Sequence, residues 1–189
     1  MKESPDLETR RPAEQAVDNR PSPDSEASRL DLDAKKPVLR QFTYGLYAVT
    51  AEHAGERGVF TANWVTQVSF DPPLVAVSVE RDSATLPLIQ ASGRFAICPF
   101  REGQRELAGN LGRPRARTGD KFAAYGLATA RSAAGLPVLS DLLGYVVCDV
   151  ARTVPAGDSL LIIGEVIEAA IFAAGPPLTM RDAGFRHAG

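Results

Sequence analysis

The pattern of apolar and polar positions over residues 41–80 sets the first expectations. Residues 41–51 (QFTYGLYAVTA) are rich in aromatic and β-branched side chains and read as a strand, with Gly45 at a bulge or close approach. Residues 53–58 (HAGERG) form a polar, glycine-bearing turn. Residues 59–70 (VFTANWVTQVSF) begin and end as strand but bunch their polar side chains in the middle, and Asp71-Pro72-Pro73 stops them. Residues 74–80 (LVAVSVE) read as a buried strand, so the three strands together predict an antiparallel meander.

Further on, residues 82–92 (DSATLPLIQAS) predict a short helix capped by Asp82 or Ser83, with Pro87 in its first turn and Gly93 at its end. Residues 94–100 return to strand. Residues 102–111 form a second, weaker helix closed by Gly112, and residues 113–130 are mostly loop. Residues 144–153 and 159–172 are long apolar strands joined by a turn at 154–158. Strands dominate, the helices are short and no βαβ rhythm occurs. The expected class is mainly β, a barrel with short decorating helices rather than a doubly wound sheet.

Composition divides the chain. Residues 1–36 hold 7 basic and 9 acidic residues, 9 apolar residues and no aromatic. Such a segment buries too little apolar surface to offset its ordering entropy and reads as a disordered tail. Its alternative is a short docked helix around residues 28–36, with Leu30 and Leu32 as the apolar handle. Residues 37–189 read as one globular domain. Over the whole chain, 21 lysines and arginines face 23 aspartates and glutamates, which argues against a nucleic-acid binder. No apolar run approaches the roughly 18 residues of a membrane span, and residues 1–20 lack the apolar core of a secretory signal. Two cysteines, Cys98 and Cys148, make no disulfide framework and point to a reducing cytosol; Cys98 reads as a small buried hydrophobe.

The motifs GxSxG, HExxH, GxxxxGK[ST] and GxGxxG are absent. The histidines, His53 on a turn and His187 near the C-terminus, supply no multi-histidine metal site, so neither a metal ligand nor a catalytic acid–base side chain is expected. Residues 61–69 (TANWVTQVS) are the unusual stretch. A flat amphipathic ligand explains it, with main-chain groups along the ring edge and Thr and Asn side chains adding hydrogen bonds. A solvent-facing edge strand with Trp64 packed on the surface explains it as well. Residues 81–85 (RDSAT) offer N–H groups and hydroxyls to an anion such as a phosphate, or serve as an ordinary helix cap. Arg113, Arg115 and Arg117 read as a solvated loop, with a dinucleotide phosphate as their other use.

Taken in order, YGLYAVT (44–50), TANWVTQVS (61–69), FDPPLVAV (70–77), SGRFAI (92–97), DKF (120–122) and GDSLLIIGEV (157–166) resemble the flavin reductase-like, FMN-binding split-barrel family. The likeness runs from about residue 42 to the C-terminus. It implies a split β-barrel homodimer with FMN at or near the subunit interface. Carried over by position, Thr61, Asn63, Trp64, Val65 and Thr66 would line the isoalloxazine and ribityl chain, with Gln67 and Ser69 nearby. Ser83 and Thr85 would hold the phosphate, with Lys121 a further candidate for that anion. The resemblance also implies hydride transfer from NADH or NADPH to flavin N5, and onward transfer to free flavin, a flavin-dependent monooxygenase or an electron carrier. Residues 179–189 resemble tails that fold back toward the flavin, which would bring Phe185 and His187 near the site. Two positions depart from the pattern: Ser159 stands where the family often has histidine, and Cys98 where it often has asparagine. The Ser159 departure favours a different class, a non-catalytic or sensory FMN-binding protein. A haem-binding split barrel is a third class, and the scarcity of histidines counts against it.

Overall fold

Two hairpins start the sheet. Strands β1 (Tyr47–His53) and β2 (Glu56–Ala62) are joined by Ala54 and Gly55, at φ 50° and 83°. Positive φ at both central residues matches the twist of the strands they connect. Pairing persists to His53 opposite Glu56, so the expected turn over 53–58 contracts to two residues. Strands β3 (Val65–Ser69) and β4 (Leu74–Glu80) make the second hairpin. These observations come from a computed structural model that describes residues 31–186. Residues 1–30 of the tail expected over 1–36, and His187, lie outside the described residues.

Strands β5 (Arg94–Pro99), β8 (Gly144–Ala156) and β9 (Ser159–Ile171) complete a seven-stranded antiparallel sheet, and β6 (Thr129–Arg131) pairs β7 (Pro137–Leu139) in a separate ribbon. The sheet order is β2-β1-β5-β8-β9-β4-β3. β2 and β3, expected as one strand over 59–70, therefore lie at opposite edges, and the expected meander is corrected. The chain leaves the sheet at Asn63 and Trp64. Polar side chains bunched there cannot serve a strand buried on both faces, whereas β4 finds in β9 an apolar partner along its whole length, Val77 opposite Ile162.

Helix α1 (Leu32–Leu39) starts at Asp31, whose carboxylate accepts from the N–H groups of Asp33 and Ala34, and none of its residues is buried. It runs across the expected boundary at residue 36. Helix α2 (Leu86–Ser92) is shorter than expected: Thr85 takes the cap position, Pro87 sits in the first turn, and Gly93 closes the helix at φ 67°. Ser83 lies ahead of the helix and accepts the Thr85 N–H at 3.4 Å. Helix α3 (Arg105–Leu111) follows. The expected loop at 113–130 contains two single turns, α4 (Arg115–Thr118) and α5 (Lys121–Ala124), besides β6.

The middle of the sheet is buried on both faces. On one face Val49, Phe95, Ile97, Cys148 and Ile162 pack with Val77, Val79 and Ile89 of α2. On the other, Ala48, Ala96, Cys98 and Val147 pack with Leu111, Phe122 and Val138. Burial of both faces is why β1 and β5 read as continuous apolar runs. Cys98 and Cys148 belong to opposite faces, and burial pushes both thiols up to about 12. They pack as small hydrophobes. Among the described residues, no helix is long and apolar enough to cross a membrane, and no group of three His, Cys, Asp or Glu could hold a metal ion.

Candidate functional site

A cavity of about 970 Å³ opens against edge strand β2, and residues 57–64 form one of its walls. Only β1 pairs with β2, so the outer edge of that strand offers main-chain groups that no ladder uses. The remaining walls are the end of β4 with the loop before α2, the α3–α5 segment, and the C-terminal turn.

Glycine sets how closely these walls approach. A Cβ at Gly58 would stand 2.7 Å from Thr85 Oγ1, so its absence lets the mouth of α2 meet β2. Across the strand, Thr61 Oγ1 donates to the Ala108 carbonyl at 2.7 Å. Lys121 Nζ donates to the carbonyls of Leu111 at 2.5 Å and Val59 at 3.2 Å. That ammonium therefore ties the outer edge of β2 to the end of α3. Burial holds its pKa down to about 8. Arg57 lies 4.4 Å over the Phe122 ring and pairs with Asp120 at 3.3 Å. Arg113 and Arg115 line the cavity and meet no carboxylate among the described residues; Arg117 is not on the wall. Glu80 and Asp82 add negative charge on the β4 side.

Asn63 is the outstanding group. It lines the cavity, and its Nδ2 is enclosed without a hydrogen-bond partner. An enclosed amide donor left unpaired costs free energy unless something arrives to accept from it. The χ2 torsion of asparagine is soft, so a modest turn aims the donor into the cavity.

Six of the ten residues singled out from the sequence line this cavity: Thr61, Asn63, Trp64, Ser83, Thr85 and Lys121. Val65, Thr66, Gln67 and Ser69 do not. They lie on β3, where Thr66 and Gln67 bond to nearby main-chain carbonyls of their own strand. The C-terminal turn does reach the site, with Phe185 on the wall and its ring packed over Gly109 of α3. Ser159 is buried, is not on the wall, and donates its hydroxyl to Asp158. Ser78 and Glu80 were missed by sequence reasoning. Their signal was available: the alternate positions 75, 77 and 79 are all valine, while 78 and 80 are polar on the opposite face.

The cavity thus brings together an edge strand, an unpaired amide and a wall carrying both arginines and the carboxylates of Glu80, Asp82 and Asp120. Comparison with known proteins gives the family: the flavin reductase like domain matches residues 39–189, and the chain belongs to that family. It is 38% identical over 150 residues to the high molecular weight rubredoxin of Moorella thermoacetica, covering 78% of this chain and 64% of that one. It is 30% identical over 155 residues to the reductase component of 4-hydroxyphenylacetate 3-monooxygenase from Thermus thermophilus, covering 82% and 95%. Among solved structures it is similar to BorF, the flavin reductase component of a bacterial two-component tryptophan halogenase. There the TM-score is 0.71 at 27% identity, with 81% of this chain and 95% of that one covered. The chain spans 64%, 24% and 44% of the length of three curated relatives that it matches.

Proposed function

We propose that the protein is an NAD(P)H-dependent flavin reductase that holds FMN in the cavity beside β2 and hands electrons to free flavin, a flavin-dependent monooxygenase or an electron carrier. The unpaired Asn63 amide on the cavity wall carries the reading. The residues present fit the cofactor. The free edge of β2 and the Asn63 amide offer donors to the carbonyl and nitrogen edge of an isoalloxazine, and Ser83 and Thr85 offer hydroxyls to its phosphate. When bound, FMN would supply hydride acceptance and one- or two-electron release. The chain's own work is to bind, orient and partly exclude water. Lys121 holds the edge of β2 in place, and Phe185 and Trp64 wall the apolar part of the space.

A homodimer belongs to this reading. Val68 and Phe70, at 50% and 89% exposure, and Ile167 and Ile171, at 44% and 85%, fall on β3, on the turn after it and on β9. Exposed large apolar side chains on these strands of one sheet support an interface there. A second copy seated there would put Thr66, Gln67 and Ser69 at the contact. The reading also places the protein in the cytoplasm, where its two buried thiols stay reduced.

The test is anaerobic. Purified protein loaded with FMN is mixed with NADH or NADPH, and loss of the yellow absorbance is followed by stopped flow. Rapid bleaching with either donor is expected. Bound flavin that neither donor reduces within minutes would refute the reductase and leave the second reading, a non-catalytic or sensory FMN-binding protein, which the absence of histidine at Ser159 favours.

A further inference from the structure

Lys121 has a reactivity of its own, apart from its part in holding β2. Its Nζ donates to two main-chain carbonyls, Leu111 at 2.5 Å and Val59 at 3.2 Å. Among the described residues it pairs with no carboxylate. The residue is 7% exposed, yet it lines the main cavity of about 970 Å³. Burial disfavours the charged form and draws the pKa from 10.5 down to about 8. An ammonium carries three hydrogens and a neutral amine two. The two carbonyls satisfy both hydrogens of the neutral form, and the lone pair is left to the cavity. A desolvated lysine amine in that state is a nucleophile.

The charges around the amine favour an anionic electrophile. Arg113 and Arg115 share its wall, and Arg113 lies two residues after Leu111, whose carbonyl the amine holds. Both arginines are exposed and meet no carboxylate among the described residues. Asp120, next to Lys121, is already paired with Arg57 of β2 at 3.3 Å. Glu80 and Asp82 lie on the β4 side, and Arg186 on the C-terminal turn. Guanidinium forks match the geometry of phosphate oxygens.

We propose that Lys121 Nζ is a modification site, a nucleophile that acyl phosphates acylate inside the main cavity while Arg113 and Arg115 receive the phosphate end. The lone pair attacks the acyl carbon, and a C–N bond forms. The bond from that carbon to the phosphate oxygen breaks, and the proton shed by nitrogen leaves on the phosphate. The products are an amide and inorganic phosphate, with nothing oxidised or reduced. The amide keeps one N–H for two carbonyls. Acylation therefore removes a charge and one of the two bonds that tie the edge of β2 to the end of α3. This chemistry needs the cavity, the carbonyls and the arginines, and no flavin.

Acetyl phosphate is the probe. The full chain is incubated with it at pH 7, 8 and 9 without added flavin, so the outcome is independent of FMN binding. Peptide mass spectrometry reads the acetylated positions. The chain has four lysines, Lys2, Lys35, Lys36 and Lys121, and Lys36, exposed on α1, is the comparison. At pH 8 the initial rate at Lys121 should exceed that at Lys36 by roughly tenfold or more. It should rise about fivefold from pH 7 to 8 and less than about twofold from pH 8 to 9, following the neutral fraction, whereas an amine at the ordinary lysine value gains about tenfold at each step. R113Q/R115Q should slow acetyl phosphate by about fivefold or more. The same variant should react with p-nitrophenyl acetate, an uncharged donor, within about twofold of the wild type. Thermal melts confirm that the variant folds. Acetylation of Lys36 without Lys121, a rate at Lys121 that climbs about tenfold per unit through pH 9, or an equal effect of the arginine change on both donors overturns the proposal.

Discussion

Replacing Asn63 by leucine separates the cost of this site from its use. In the free protein Nδ2 is enclosed and unpaired. A buried polar group in that state costs about 1–3 kcal/mol. Leucine is close to asparagine in shape and carries no donor, so N63L removes the penalty. A domain of this size shifts its melting temperature by about 2–4 °C per kcal/mol. The flavin-free variant should therefore melt several degrees above the wild type. With FMN bound the sign reverses. On the proposed reading the wild-type amide would turn onto the ring edge and be satisfied there, while the variant would leave a ring acceptor without its donor. The loss is again about 1–3 kcal/mol, or roughly a five- to 150-fold rise in Kd. Two assays on the same samples read the pair: differential scanning fluorimetry of flavin-free protein, and quenching of FMN fluorescence on titration. N63A serves as a second variant, because it cannot overpack the site. A lower melting temperature together with an FMN Kd within about twofold of the wild type would mean that the fold itself satisfies the amide, and the reasoning would fall.

Gly164→Ala should destabilise the fold by about 1–3 kcal/mol in urea denaturation, because a Cβ there would come within 2.7 Å of both Cys148 Cβ and the Phe95 ring; an unchanged midpoint would show that β9 shifts freely. Lys121, depressed to about 8 from the usual 10.5, gives a pH signature: the unfolded chain holds that proton between these values and the folded chain does not, so its contribution to stability rises with pH across the window. Cys98 and Cys148, raised to about 12, act in the opposite direction above their ordinary value of 9.0, so the readout is the difference in slope between wild type and Lys121→Met from pH 8 to 10; parallel curves would refute the assignment. Phe70→Glu should shift a sedimenting dimer to monomer, since Phe70 is 89% exposed; a dimer of unchanged strength would remove this end of β3 from the interface.

Local signals in the sequence carried most of the secondary structure. Pro87 and Gly93 mark the first turn and the end of α2 because each acts on the backbone where it stands. The two long C-terminal strands were legible for the same reason, though their turn is only Gly157 and Asp158 rather than five residues. Strand partners were not legible. Nothing near residues 63–64 says that β2 and β3 part to opposite edges, because that outcome depends on β9, almost a hundred residues away. The same non-locality divided the candidate site. Thr61, Asn63 and Trp64 stay with the cavity, while Val65–Ser69, contiguous with them in sequence, leave on the other hairpin. Arg113 and Arg115 reach the wall and Arg117 does not because α4 turns between them, a detail that arginine spacing alone does not encode.

The break at residues 63–64 also gives the sheet two exposed edges, and the chain treats them differently. An unpaired edge invites another strand, so proteins cover it or charge it. β2 is covered: α3 and α5 lie beside it, Lys121 occupies the Val59 carbonyl, and the cavity takes the rest. A strand from a second molecule cannot add there without displacing that cover, which leaves the free main-chain groups to a small ligand. Among the described residues β3 has no such cover, and it carries Val68 half-exposed, with Phe70 bare just beyond its end. A ligand wall at that edge would call for polar side chains facing the cavity, yet Thr66 and Gln67 bond along their own strand instead. The asymmetry fits the proposed reading, with one edge facing the cavity and the other carrying exposed apolar side chains. It also accounts for why a single stretch of nine residues, 61–69, could read as a ligand site and as an edge strand at once: its first part is the one and its last part the other.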